Sequence, residues 1–244
     1  MSDTLKSVLF AMATAVVCSL LLTAAATGLK ERRVLNETVD RQKNILKSVG
    51  LLGAVESTDP GSIQTLFDQK IRCIHVDAGG RFVEKPGADS DLRPVCLYTE
   101  KEGLQAYIVP VNVKGLWGGI ESYLAIDRDG KTVEGFTVCN HAETPGLGGE
   151  IEKPWFQRNF RDKRIVDAAG QFVSITVTKG KVADAVAPGR QDHYVDGISG
   201  ATLTGRFLSE GLRETLLAYE TVSDNFRNNR LNLKTASTGK TGSP

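Results

Sequence analysis

From Ser7 to Leu29 no position is charged. As a helix this run would extend roughly 34 Å, enough to cross a hydrocarbon core with some tilt. The pattern then turns amphipathic. Leu35, Val39, Leu46 and Val49 recur at helical spacings, which predicts a helix from Lys30 to Leu52 stopped by Gly50 and Gly53. A short helix is expected after Pro60, through Ile63, Leu66 and Phe67. The period next shifts to that of strands, over Ile71–Val76, Val95–Tyr98 and Leu104–Val109. Ser122–Ile126 and Val133–Val138 flank Asp129-Gly130, a strong hairpin signal. Pro154–Phe160 reads as a brief helix, and Phe172–Thr178 with Val182–Ala187 as a second hairpin around Lys179-Gly180-Lys181. The last predicted element is a helix from Thr202 to Tyr219, with Leu203, Phe207, Leu212 and Leu216 turned to the sheet. Beyond Asp224 the only charged residues are basic, and the stretch reads as a disordered tail.

These elements predict an α+β fold: a single N-terminal transmembrane helix, then a mainly antiparallel sheet with packed helices. The expected organisation is a cap over 1–6, the transmembrane helix over 7–29, a connecting amphipathic helix over 30–60, a sheet domain over 61–224 and a basic tail over 225–244.

Charge changes this picture little. There are 30 Lys and Arg against 29 Asp and Glu, a formal net charge of +1, so no global field favours nucleic acid. The Ala24-Ala25-Ala26 triplet resembles a signal-peptide cleavage site. The apolar run is longer than a typical signal, however, and Asp3 and Lys6 cancel in front of it, so we read a retained anchor. Val17 ahead of Cys18 is a poor lipoprotein signal. The run is rich in Ala, Ser and Thr, which lets helices approach closely in a bilayer and suggests partner helices. The basic cluster from Lys30 to Arg33 argues for a cytoplasmic C-terminal side. Cys73, Cys96 and Cys139 form no C-x-x-C pair, and Cys73 and Cys96 fall in apolar strand-like runs, so both read as buried free thiols.

Several motifs fail on their context. Gly239-Lys240-Thr241 has Lys234 where a phosphate loop needs its first glycine, and no strand before it. Gly146-Leu147-Gly148-Gly149 is followed by Ile151 and by no βαβ unit, so no dinucleotide site is expected. Asp127 and Asp129 lack the rest of a calcium loop. His75, His141 and His193 stand apart, with no metal-ligand spacing. No metal site is predicted, and no catalytic acid, base or nucleophile.

The informative segment is Asp196-Gly197-Ile198-Ser199-Gly200-Ala201-Thr202. It places Thr202 at a helix N-terminus, where open amides and the positive dipole end favour an anion. Gly200 and Ala201 leave room for a phosphate close to the backbone. The plainer reading is a glycine turn into the helix with Ser199 near its N-cap.

The segment resembles the Asp-x-x-Ser/Thr-Gly-Ala-Thr signature of proteins flavinylated on the final threonine. Gly115-Leu116-Trp117-Gly118-Gly119, then Glu143-Thr144-Pro145-Gly146-Leu147-Gly148, then this signature occur in order. With the anchor and the Arg41–Leu51 helix they resemble the C subunits of the Na+-translocating NADH:quinone oxidoreductase, over nearly the whole chain except the basic tail. The homologous G subunit of the Rnf complex shares the signature and the Glu-Thr-Pro-Gly-type loop and is the nearer alternative. A flavin-free, membrane-anchored scaffold domain is the other.

The resemblance implies an FMN-binding domain with FMN joined through its phosphate to Thr202, beside Ser199, Gly200 and Ala201. It implies Trp117 and Leu147 against the isoalloxazine, and Glu143, Thr144 and Gly146 shaping the pocket. It further implies a flavin transferase for attachment, partner subunits in the bacterial inner membrane, a periplasmic soluble domain, and electrons passing from NADH towards quinone with sodium export. The implied periplasmic side conflicts with the charge count.

Overall fold

The structure, a computed structural model, describes residues 2–52, 59–83, 92–101 and 103–230. It contains two compact units, one ending at Arg41 and the other beginning at Gln42.

The first unit is part of one helix, α1 (Asp3–Ser48), which is long and apolar enough to cross a membrane. No break separates the predicted anchor from the predicted connecting helix. The segment contains no proline and a single glycine, Gly28, so nothing interrupts the helical hydrogen bonds where the composition changes. In the apolar part, Thr14 and Thr23 donate their hydroxyls to the carbonyls of Phe10 and Ser19. Such back-bonding satisfies polar groups within the helix itself, as a lipid environment requires. The helix ends at Ser48, short of the predicted Leu52, at the first of the two expected glycines: Gly50 adopts φ +72°, its amide bonds the Lys47 carbonyl and the Leu51 amide bonds that of Leu46.

The second unit begins with the last turn of α1, whose Ile45, Leu46 and Ser48 are buried. Helix α2 (Pro60–Lys70) follows, opened by Pro60 and capped by Asp59, which accepts the Ser62 amide at 3.0 Å. Strands β1 (Ile71–Val76), β2 (Phe82–Val83), β3 (Arg93–Glu100), β4 (Gly103–Lys114), β5 (Gly119–Asp127) and β6 (Val133–His141) form one sheet in the order β2-β1-β3-β4-β5-β6. Every pair in it is antiparallel. The fold class is therefore α+β, as expected. Strand β4 runs past the predicted end at Val109 although Pro110 lacks a donor. The β3 ladder ends at Cys96↔Ile108, so Pro110 lies beyond it and only β5 pairs there.

Alternation gives the sheet two apolar faces. Tyr107, Val109, Val111 and Val113 of β4 join Ile120 and Leu124 of β5 and Phe136 of β6 in the main core, under helix α5 (Thr202–Ala218). The other face receives the end of α1: Thr137 donates to the Asn44 carbonyl at 3.0 Å, and a Cβ on Gly135 would lie 2.4 Å from the Ser48 carbonyl oxygen.

Four expectations are corrected. Cys73 and Cys96 are not free thiols but a disulfide: they are direct cross-strand partners in β1 and β3, and Cys73 is exposed rather than buried. Spacing along the chain could not show that register. The second hairpin does not form. After the short helix α3 (Pro154–Arg158), Thr176–Val177 (β7) pairs in parallel with Tyr194–Val195 (β8), and Val182–Ala185 is a helical turn, α4. The Gly197 amide takes the Gly180 carbonyl, and Asp196 accepts the Val182 amide, so the glycine turn is bonded to a third segment instead of closing on itself.

Helix α5 turns Thr204, Gly205, Leu208, Gly211, Leu212 and Leu216 inward and leaves Leu203 outside. Cβ atoms on Gly205 and Gly211 would meet Val177 and Val113 at 3.0 and 2.0 Å, so these glycines are what bring the helix against β7 and β4. Finally, a further helix, α6 (Glu220–Arg227), continues past Asp224 and buries Phe226. The remaining predictions for the tail, Gly239-Lys240-Thr241 included, lie outside the described residues.

Candidate functional site

Three segments of the second unit converge on one buried carboxylate. Glu143 follows strand β6 and is 4% exposed. Its Oε1 accepts the amides of Leu116 at 2.7 Å and Trp117 at 3.1 Å, from the turn between β4 and β5. Its Oε2 accepts the Thr204 hydroxyl at 2.5 Å, from the first turn of α5. The Glu143 amide donates to His141 Nδ1, and His141 Nε2 lies 3.4 Å from Glu152 Oε2. Among the described residues no cation pairs with Glu143; three donors and the positive end of α5 hold its charge.

Glycines make this convergence possible. A Cβ on Gly115 would lie 2.4 Å from Glu143 Oε1, and one on Gly148 2.5 Å from Oε2. The loop from Thr144 closes on itself through the Thr144 carbonyl, which accepts the amides of Leu147 and Gly149. Gly146 sits in that turn at φ +74°.

The helix end presents an open threonine. Ala201 is the N-cap residue and no side chain caps the first turn. Ser199 therefore lies outside the helix and is not its cap, which corrects the plainer reading of the sequence. Thr202 is exposed and its hydroxyl has no partner among the described residues, whereas the Thr204 hydroxyl is buried and committed to Glu143. Gly200 adopts φ +76°, and a Cβ there would press on Leu147 Cδ2 at 2.8 Å, so the loop tip and the turn before α5 are in contact. Asp196, the first signature residue, faces away from this end. It accepts Lys181 Nζ and the Val182 amide, both at 2.8 Å.

Large apolar side chains are exposed here. Trp117 is 70% exposed although its amide is fastened to Glu143; Leu147 is 43% exposed, and Leu116 and Leu203 are exposed as well. Flat and branched apolar groups offered beside an uncapped helix N-terminus suit a ligand with an aromatic ring and a phosphate. Of the residues singled out in the sequence, the structure links Trp117, Glu143, Leu147, Gly200 and the first turn of α5. Ser199 and Thr144 lie exposed at the margin. Sequence reasoning missed Thr204, Gly115 and Gly148. The glycines were visible in it, but nothing showed which atoms they would face.

Comparison with known proteins agrees with this geometry. A family model described as an FMN-binding domain matches residues 115–217, the span that contains all three converging segments. The chain is 32% identical to the C subunit of the Na(+)-translocating NADH-quinone reductase of Vibrio anguillarum, over 88% of this chain and 89% of that protein. It is 34% identical to the corresponding C subunit from Yersinia pestis, over 82% and 83%. Among solved structures it is similar to the C subunit of the Na(+)-translocating NADH-quinone reductase from Parabacteroides distasonis, with a TM-score of 0.68 and 29% identity, over 80% of this chain and 96% of that one.

Proposed function

The chain belongs to the family of C subunits of the Na(+)-translocating NADH-quinone reductase, and on that premise we propose that it is a membrane-anchored electron-transfer protein holding FMN covalently on Thr202. Family membership decides between the two homologous subunits that the motifs left open. It makes the chain a component of an oxidoreductase complex rather than a catalyst by itself.

The observation that carries the proposal is the contrast between two hydroxyls of one helix turn. Thr202 is exposed and unengaged at the uncapped N-terminus of α5, while Thr204 is buried and bonded to Glu143. Only the first is open to a modifying enzyme. The phosphodiester would retain one negative charge beside the helix amides, stabilised by about 0.3–1 kcal/mol from the dipole. Gly200, exposed and at positive φ, carries the chain into α5 against Leu147, and Trp117 and Leu147 offer apolar faces to the ring. Among the described residues no base contacts the Thr202 hydroxyl, which leaves the activation to a separate flavin transferase. FMN bound there would supply reversible one-electron transfer. Thr144 and Gly146 shape the turn that holds Leu147, and Ser199 lines the approach to the helix end. Electrons originating from NADH would pass through this site towards quinone, with partner subunits carrying NADH oxidation, quinone reduction and the sodium path.

The soluble domain is assigned to the periplasmic side of the inner membrane. The Cys73–Cys96 disulfide supports that side, because such bonds persist in the oxidising periplasm and not in the cytosol. It outweighs the basic cluster at Lys30–Arg33, since insertion partners can override a weak charge bias.

Intact mass of the chain coexpressed with a flavin transferase, digested and denatured, tests the attachment. A Thr202 peptide heavier by one FMN less water is expected, together with its absence from Thr202→Ala. Flavin retained on denatured Thr202→Ala would refute Thr202 as the carrier, and an unmodified wild type beside a flavinylated control would refute the covalent reading.

A further inference from the structure

The Glu143–Thr204 hydrogen bond joins two parts that the proposed site uses separately. Thr204 lies two residues after Thr202 on the same turn, so its backbone moves with the helix end that would hold the phosphate. The Glu143 carboxylate reaches across a sequence separation of 61 to meet it at 2.5 Å. On its other oxygen the same carboxylate carries the amides of Leu116 and Trp117, the segment that offers the indole. From the Glu143 backbone the chain proceeds directly to the turn that offers Leu147. One buried group thus fixes the helix end, the indole-bearing turn and the leucine-bearing loop to one another.

Space around the carboxylate is closed as well as bonded. A Cβ on Gly148 would come within 2.5 Å of Glu143 Oε2 and 2.6 Å of Thr204 Oγ1, and one on Gly118 within 2.7 Å of Ala142 Cβ. The carboxylate has no slack to re-aim without breaking a bond. A buried acceptor that loses one of three donors keeps its position poorly, because its charge must then be held by the others. The Thr204 hydroxyl is the donor that belongs to the helix. Removing it takes away the hydrogen bond that ties the helix end to the carboxylate and, through it, to the indole-bearing turn, while leaving the Thr202 hydroxyl untouched.

We propose that Thr204, acting through Glu143, is a positioning residue that sets where Trp117 and Leu147 stand relative to a flavin carried on Thr202. This rests on the covalent-FMN reading, and the test separates the two. The full chain is coexpressed with a flavin transferase as wild type, Thr204→Val and Thr204→Ser. Mass on the Thr202 peptide reports attachment. Fluorescence of the native protein against the denatured protein reports quenching of the flavin by the nearby indole, and titration reports the midpoint potential.

In Thr204→Val the flavin is expected to remain attached, most of the native-state quenching to be lost and the midpoint potential to move. Thr204→Ser, which restores the donor, is expected to recover both. A bond that only stabilised the fold would lower the melting temperature and leave the quenching and the potential of the folded protein unchanged. That outcome overturns the positioning role. So does Thr204→Val without flavin beside a flavinylated wild type, which would assign Thr204 to recognition by the transferase. A wild type without flavin refutes the parent reading instead. Should Thr204→Val fail to fold, Thr204→Cys, close in size and a weaker donor, carries the same readouts: altered quenching and potential support the positioning role, and unchanged values overturn it.

Discussion

The Cα of Gly197 lies against the carbonyl oxygen of Thr178, so closely that a Cβ on Gly197 would stand 2.0 Å from that oxygen. The Gly197 amide meanwhile donates to the Gly180 carbonyl at 2.7 Å. The turn that begins at Asp196 is thus laid directly on the 178–180 backbone. Asp196 and Gly197, both bonded to the 180–182 backbone, serve the fold.

Gly197→Ala should therefore destabilise the second unit by about 2–3 kcal/mol, since the obstacle is backbone and cannot rotate away. Gly189→Ala is the control: nothing lies within 4 Å of a Cβ there, and the change should be near neutral. Denaturant unfolding of the two variants checks the contrast. Equal stability would mean that the turn shifts freely and that Gly197 is not a packing constraint.

The ordered domain extends beyond Asp224. Phe226 is 7% exposed and stacks on Tyr107 with ring centroids 4.4 Å apart, while the Tyr107 hydroxyl donates to Ser223 at 2.7 Å. Arg227 pairs with Glu220 and donates to the Gly130 carbonyl. A chain ended after Asp224 loses Phe226 and Arg227, and with the aromatic alone about 3 kcal/mol or more. Its melting temperature should fall by roughly 10 °C. A chain ended after Arg230 keeps all these contacts and should melt well above the chain ended after Asp224. Identical melting of the two truncations would show that the end of α6, with Phe226 and Arg227, contributes nothing.

What the sequence made legible follows from the range of the forces involved. The apolar run, the stop at Gly50 and the Asp129-Gly130 hairpin were readable because local composition decides them. The segment around Thr202 stood out because its residues lie close together in the chain, so the motif could be recognised without knowing the fold. Three features depended on contacts distant in sequence and were misread or missed: Cys73 opposite Cys96, the two glycines that seat α5, and Thr204 under Glu143. In α5 the misreading has a definite cause. Apolar periodicity favoured Leu203, but close approach at Gly205 and Gly211 rotated the buried face towards Thr204 and Leu208.

The Cys73–Cys96 bridge should be measurable by thiol counting. The chain has 4 cysteines, of which Cys18 and Cys139 are free. Denatured without reductant it should take up alkylating reagent only at those positions, and after reduction at Cys73 and Cys96 as well. In the folded protein Cys139 should react slowly near neutral pH, because burial pushes its thiol up to about 12 and the thiolate is scarce. Replacing Cys73 and Cys96 by alanine should cost about 3 kcal/mol, the loop-closure contribution expected for a bridge of separation 23. Full alkylation without reductant would remove the bridge, and with it this support for the periplasmic side.

Asp196 gives a pH dependence with a definite sign. Burial alone would raise its carboxyl, but the hydrogen bonds from Lys181 and the Val182 amide, with the Lys181 charge, outweigh that and hold it below the usual aspartate range. A group whose folded pKa is depressed contributes stability above its unfolded value, about 3.9, and loses it as pH falls through the folded value. Asp196→Asn retains an oxygen for the Val182 amide and removes the charge. Wild type should exceed this variant by about 1 kcal/mol, a modest figure because Lys181 is exposed. The gap should be flat from roughly pH 7 to 5 and should close below about pH 4, as the wild-type carboxylate takes up its proton. Unfolding free energies of both proteins across that range measure it directly. A gap that persists undiminished at pH 3 would mean that the charge of Asp196 is not what fastens the signature turn to Lys181 and α4, and that shape alone holds the approach to Thr202.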